Sequence, residues 1–122
     1  MITPISNRLN TECIFCRIRD REMDSQIILE NEFIFAINDI NPRAEKHLLI
    51  ISRDHIEKID SLSSSQISVV SEMVIAAKKL AHDLAITQSG YRLTINNGPD
   101  ANMTVAHLHM HLLGGQKLGK EG

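Results

Sequence analysis

Residues 107–113 read His-Leu-His-Met-His-Leu-Leu, a strict alternation of histidines with apolar side chains. Neighbouring side chains of a β-strand point to opposite faces. The alternation therefore predicts a strand with Leu108, Met110 and Leu112 in the core and with His107, His109 and His111 in a row on the opposite face. Alternate residues of a strand lie roughly 7 Å apart, so such a row can surround one reacting centre. The alternative is a solvated strand face that happens to be rich in histidine.

The composition limits the classes of protein that need considering. The chain has 122 residues, the size of a single domain, which we expect to span residues 1–122 with flexible tails at 1–10 and 116–122. The formal charge of −2, with three Phe, one Tyr and no Trp, argues against nucleic acid or an anionic membrane as a partner. The polar stretch from Met1 to Glu12 resembles no signal peptide, which predicts a cytoplasmic protein.

The remaining pattern predicts an α+β fold with a largely antiparallel sheet. Short β-favouring runs at 26–30 and 33–38 suggest a hairpin, and residues 46–52 and 91–96 read as further strands. Ser63 and Gln66 form a capping-box pattern that opens one long amphipathic helix, which ends before Gly90. Strands around one helix without strict βαβ alternation are typical of α+β proteins.

Two chemistries fit the histidine spacing equally well. A neutral imidazole is a good nucleophile toward phosphorus and a good leaving group. Alternatively, His-x-His on a strand can place two nitrogens on one zinc ion. Cys13 and Cys16 form a Cys-x-x-Cys pair, which is half of a zinc site, a redox pair or simply two thiols.

The segment 107–115 resembles the His-x-His-x-His signature of the histidine-triad superfamily, in its nucleoside-phosphoramidase branch. Residues 13–18, 35–56 and 91–98 resemble that branch in order and spacing, so the resemblance covers residues 12–115. It implies a histidine-triad fold, with about five antiparallel strands and one principal helix, paired as a homodimer.

The implied function is hydrolysis of purine nucleoside phosphoramidates, such as adenosine 5′-monophosphoramidate, with no cofactor required for catalysis. His109 matches the nucleophile, which forms a covalent nucleotidyl intermediate, and His111 matches a phosphate contact. His107 completes the triad, His47 matches a neighbouring histidine, and Thr104 matches a hydroxyl that helps to protonate the leaving amine.

The resemblance also implies a nucleotide site and a structural zinc site. Asp39 matches the carboxylate that accepts hydrogen bonds from the ribose hydroxyls. The positions that match the base pocket are Ile14, Phe15, Ile37 and Ile40. Asn96 matches a polar residue on the phosphate side. The implied zinc ligands are Cys13, Cys16, His47 and His107.

One segment departs from the family pattern. Where the family commonly has Gly-Gln-Ser or Gly-Gln-Thr, this chain has Asn102-Met103-Thr104, and Met103 cannot donate a hydrogen bond as a Gln amide does. Two alternatives therefore stay open: a dinucleoside polyphosphate hydrolase of the same superfamily, and a nucleotide-binding partner protein with weak catalysis.

Overall fold

The computed structural model describes residues 13–121. The predicted N-terminal tail at 1–10 lies outside the described residues. The elements in chain order are α1 (Ile14–Arg19), β1 (Leu29–Glu30), β2 (Ile34–Asn38), β3 (Lys46–Ser52), a 3-10 turn (Ile59–Ser61), α2 (Ser68–Asp83), β4 (Tyr91–Thr94), a second 3-10 turn (Pro99–Ala101) and β5 (His109–Gly114).

The five strands form one antiparallel sheet in the order β1-β2-β3-β5-β4. This architecture confirms the predicted five-stranded sheet with one principal helix. Strand β3 occupies the centre, as expected from its run of branched aliphatic residues, which suits a strand buried on both faces. Its neighbour β5 contains His109 and His111, which lie opposite Ile51 and Leu49, respectively.

The two faces of the sheet are covered differently. Helix α2 packs its buried face on one side, where it forms the main core with alternate residues of β2, β3 and β5. The other face carries a smaller cluster around α1. Its buried members are Phe15, Ile18, Phe35, Ile37, Leu49 and Ile51. Because side chains alternate along β5, His109 and His111 belong to this second face.

Several boundaries differ from the sequence prediction. The hairpin forms, but its first strand is shorter than expected and spans only Leu29–Glu30. The turn after it is fixed by Asn31 Oδ1, which accepts the N–H groups of Phe33 and Ile34. Half of the capping box is present, since the Gln66 side chain accepts the Ser63 N–H, yet regular α-helix begins at Ser68.

The chain after β5 contacts neighbouring elements. Gln116 Oε1 accepts the Glu45 N–H, and Arg92 donates to the Gly119 carbonyl and pairs with Glu121. Flexibility of the tail at 116–122 stays a prediction. Among residues 13–121, no helix combines the length and apolarity that crossing a membrane requires.

Candidate functional site

The three histidines of the motif do not form a uniform row, because β5 begins at His109 rather than at His107. His107 lies just before the strand, and its Nε2 donates to the Ser52 carbonyl at 2.7 Å. Its Nδ1 lies 3.3 Å from the Cys13 sulfur. Both ring nitrogens of His107 thus contact other groups of the protein, and its role at the reacting centre stays a prediction.

The tautomer of His109 follows from its hydrogen bond. Its Nδ1 lies 2.6 Å from the carbonyl oxygen of His107. A carbonyl only accepts, so Nδ1 carries the proton and Nε2 carries the lone pair in the neutral ring. Burial lowers the pKa of His109 below its usual 6.5, which favours the neutral form near pH 7. The ring packs edge-on against Phe15, with its centroid 5.0 Å away.

The tautomer of His111 is fixed through His47. The backbone N–H of Arg43 donates to His47 Nδ1 at 3.0 Å, so the proton of a neutral His47 is on Nε2. That nitrogen lies 2.9 Å from His111 Nδ1 and donates to it. The proton of His111 is therefore on its own Nε2. Burial lowers the pKa of His111 to about 4, so this ring stays neutral at pH 7.

Asp39 adjoins this pair from the end of β2. Its Oδ1 accepts the Asn41 N–H at 2.8 Å and its Oδ2 lies 3.4 Å from His47 Nε2. One carboxylate oxygen thus fixes the turn after β2, while the other lies beside the histidines. Asp39 combines the turn-capping role with a position in the site.

Cys13 and Cys16 belong to a second cluster of side chains, separate from Asp39, His47 and His111. Cys13 caps α1, and its sulfur accepts the Cys16 N–H. Four ligand atoms, from Cys13, Cys16, His55 and His107, lie within 4.8 Å of one another. His47 is not in this group, so the expectation that it joins the cysteines is wrong in this structure: it lies with Asp39 and His111 instead. The physical reason is that His47 lies within β3 whereas His55 follows it, where the chain turns toward α1.

The spacing of the four atoms fits a tetrahedral metal ion. The Cys16 sulfur lies 3.2 Å from His55 Nδ1 and 3.5 Å from His107 Nδ1, and the two nitrogens are 3.1 Å apart. Bond lengths of about 2.3 Å to sulfur and 2.0 Å to nitrogen space tetrahedral ligands by about 3.3–3.8 Å. The His107–Ser52 hydrogen bond also aims the Nδ1 lone pair at the sulfurs. Burial, followed by the neighbouring Cys13 thiol, raises the pKa of Cys16 to about 12. The thiolate is therefore unfavourable without a counter-charge, and a bound cation would supply that charge.

The other predicted site residues differ in their exposure to solvent. Phe15 and Ile37 are buried in the second-face cluster, whereas Ile14 and Ile40 are 38% and 87% exposed. Thr104 is exposed and lines a cavity of about 390 Å³ together with Cys13, Ile14 and His55. Asn96 is half-buried in the segment after β4.

No pattern in the sequence identifies two residues of the site, His55 and Arg43. His55 lies three residues after the β3 strand, where an isolated histidine carries no periodic signal. Arg43 lies in the turn after β2, and its Nη2 is 3.4 Å from His111 Nδ1. A surface arginine is ordinary in sequence, so geometry was needed to find both.

The HIT domain family model matches residues 20–118, most of the chain. The chain belongs to the HIT family. It is 37% identical over 108 residues to the purine nucleoside phosphoramidase of Escherichia coli K12, covering 88% of this chain and 91% of that protein.

Solved structures of HIT proteins share this fold. The HIT family hydrolase from Clostridium thermocellum superposes with a TM-score of 0.87 at 44% identity, covering 90% of this chain and 96% of that one. The HIT family hydrolase from Legionella pneumophila gives a TM-score of 0.85 at 36% identity, covering 88% and 96%. These matches confirm the family and the fold expected from the triad motif.

Proposed function

We propose that this HIT protein hydrolyses purine nucleoside phosphoramidates through a covalent nucleotidyl-His109 intermediate. The observation that carries the proposal is the 2.6 Å hydrogen bond from His109 Nδ1 to the His107 carbonyl, which leaves a buried, neutral Nε2 lone pair as nucleophile. The similarity to a phosphoramidase at 37% identity supports the choice of substrate class.

The reaction proceeds in two displacements. In the first, His109 Nε2 attacks the α-phosphorus, a phosphorus–His109 bond forms, and the bond to the amine breaks as the amine takes a proton. In the second, water attacks the same phosphorus and loses a proton, which balances the proton that the amine took; the bond to His109 breaks, and the nucleoside monophosphate leaves. His111 assists both steps because its Nε2–H is held as a donor for a phosphate oxygen by the His47 hydrogen bond.

The remaining residues hold the nucleotide. The Asp39 carboxylate, whose side chain is 18% exposed, accepts the ribose hydroxyls, and the base packs on the apolar second face near Phe15 and Ile37. Thr104 is exposed and makes its hydroxyl available to the leaving amine. Asn96, Ile14 and Ile40 complete the proposed pocket.

We further propose that the Cys13, Cys16, His55 and His107 group holds a structural zinc ion, which would tie α1 to the chain before β5. The ion would not take part in catalysis. Its contribution to the site is indirect, because His107 supplies the carbonyl that orients His109. Pairing into a homodimer and a cytoplasmic location stay predictions.

The deciding experiment is turnover of a fluorogenic adenosine phosphoramidate, run beside a dinucleoside polyphosphate. Release of amine and adenosine monophosphate from the first substrate supports the proposal. Preference for the polyphosphate would assign the chain to the other hydrolase type, and binding without turnover of either substrate would make it a nucleotide-binding partner protein.

A further inference from the structure

Arg43 lies over the pair formed by His47 and His111, in the turn between β2 and β3. Its backbone N–H donates to His47 Nδ1 at 3.0 Å, and its guanidinium Nη2 lies 3.4 Å from His111 Nδ1. The two contacts come from different parts of the residue. A change of the side chain therefore leaves the backbone contact to His47 in place.

The His111 imidazole does not depend on the guanidinium for its orientation or its tautomer. His47 already donates to the same nitrogen from 2.9 Å, and a second donor at 3.4 Å adds little. Arg43 also lowers the pKa of His111, as expected of a neighbouring positive charge, although burial is the larger cause. The cation therefore serves something other than the tautomer of His111.

The cation also lacks an acidic partner within residues 13–121. The ion pairs of this part of the chain engage Arg19, Arg21, Arg53 and Arg92, and none includes Arg43. The nearby Asp39 directs its oxygens to Asn41 and His47. An exposed guanidinium with most of its five N–H groups available, at the edge of a histidine cluster, is suited to a phosphate.

We propose that Arg43 is an anion-binding, specificity-determining residue, whose guanidinium binds a non-bridging phosphate oxygen of the nucleotide in the His109–His111 site. The inference rests on the proposed function for the location of the phosphate. It also gives the chain a charged donor for the phosphate, whereas Met103 offers no amide donor. The site thereby selects nucleotides over nucleosides.

The test compares the affinities of adenosine monophosphate and adenosine for wild type and three variants, measured by calorimetry. Arg43→Gln should weaken binding of the monophosphate by at least about tenfold, the size of one charge-assisted hydrogen bond, and leave adenosine binding unchanged. Arg43→Lys should recover part of the loss, because it restores the charge without the fork. Lys78→Gln is the matched control, since it removes one exposed charge from α2 on the opposite face of the sheet.

The outcomes separate this inference from the proposed function, because the binding assay needs no turnover. If Arg43→Gln binds the monophosphate more weakly but the wild type cleaves no phosphoramidate, Arg43 binds phosphate as proposed and the proposed hydrolase function is wrong. Equal affinities in wild type and Arg43→Gln, or equal weakening for both ligands, would overturn the role of Arg43. Wild type that binds the monophosphate no more tightly than adenosine would overturn it as well.

Discussion

His47 Nε2 lies 2.9 Å from His111 Nδ1, and the two residues come from adjacent strands of the sheet. This hydrogen bond decides which nitrogen of His111 carries the proton, because His47 itself is fixed by the Arg43 N–H. A proton position in the site is therefore set by a turn between β2 and β3. The pairing of β3 with β5 brings His47 of the central strand next to His111 of the motif strand.

Replacing His47 with Ala should lower kcat for the phosphoramidate on the order of tenfold to a hundredfold, with a smaller change in KM. The reason is that His111 loses the donor that holds its Nε2–H toward the phosphate, a group that matters most in the transition state. Steady-state kinetics check this. His82→Ala is the matched control, because His82 is exposed near the end of α2. An unchanged kcat in His47→Ala would mean that His111 is oriented by other means.

Zinc content should distinguish His55 from His47 as the metal ligand. Protein purified without chelator should carry up to one zinc per chain, and His55→Ala should lose it while His47→Ala retains it. The reason is that His55 Nδ1 lies 3.2 Å from the Cys16 sulfur, whereas His47 belongs to the other group. Metal analysis and thiol titration give the answer. Loss of metal in His47→Ala with retention in His55→Ala would restore the ligand set implied by the resemblance.

Much of the fold was predictable from sequence because the strands and α2 have strong periodic patterns. Helix α1 was missed, since six residues are too few to show a helical period. The site was predictable where the motif lies within a strand, as for His109 and His111. His107 and His55 lie outside the ladders, so their ring directions depend on how the chain leaves β3 and enters β5. Neither direction has a local signal in the sequence.

Stability should fall as the pH drops from about 6.5 toward 4, and part of that fall should depend on His111. Burial lowers its folded pKa from 6.5 to about 4, so the unfolded chain binds more protons between these values and stability rises with pH there. Thermal unfolding at several pH values should show a shallower decline in His111→Gln than in wild type. Parallel declines would show that protonation of His111 contributes nothing to acid destabilisation.

Changing Met103 to Gln should raise phosphoramidase turnover. The Met103 sulfur accepts the Gly98 N–H at 3.4 Å, so the side chain is folded onto its own loop. The Oε1 of a glutamine can take over that acceptor role and leave the amide N–H₂ as a donor for the phosphate. Turnover measured beside Met103→Leu, which offers neither group, checks this. A fall in Met103→Gln would mean that the loop depends on the sulfur itself.

The covalent role of His109 is tested most directly by trapping the intermediate. Wild type mixed with a phosphoramidate and quenched with denaturant should gain the mass of one nucleotidyl group, and His109→Ala should gain none. Turnover of His109→Ala should fall at least on the order of a thousandfold, while nucleotide binding persists through Asp39 and the apolar face. Turnover near the wild-type rate without an adduct at His109 would contradict the nucleophilic mechanism.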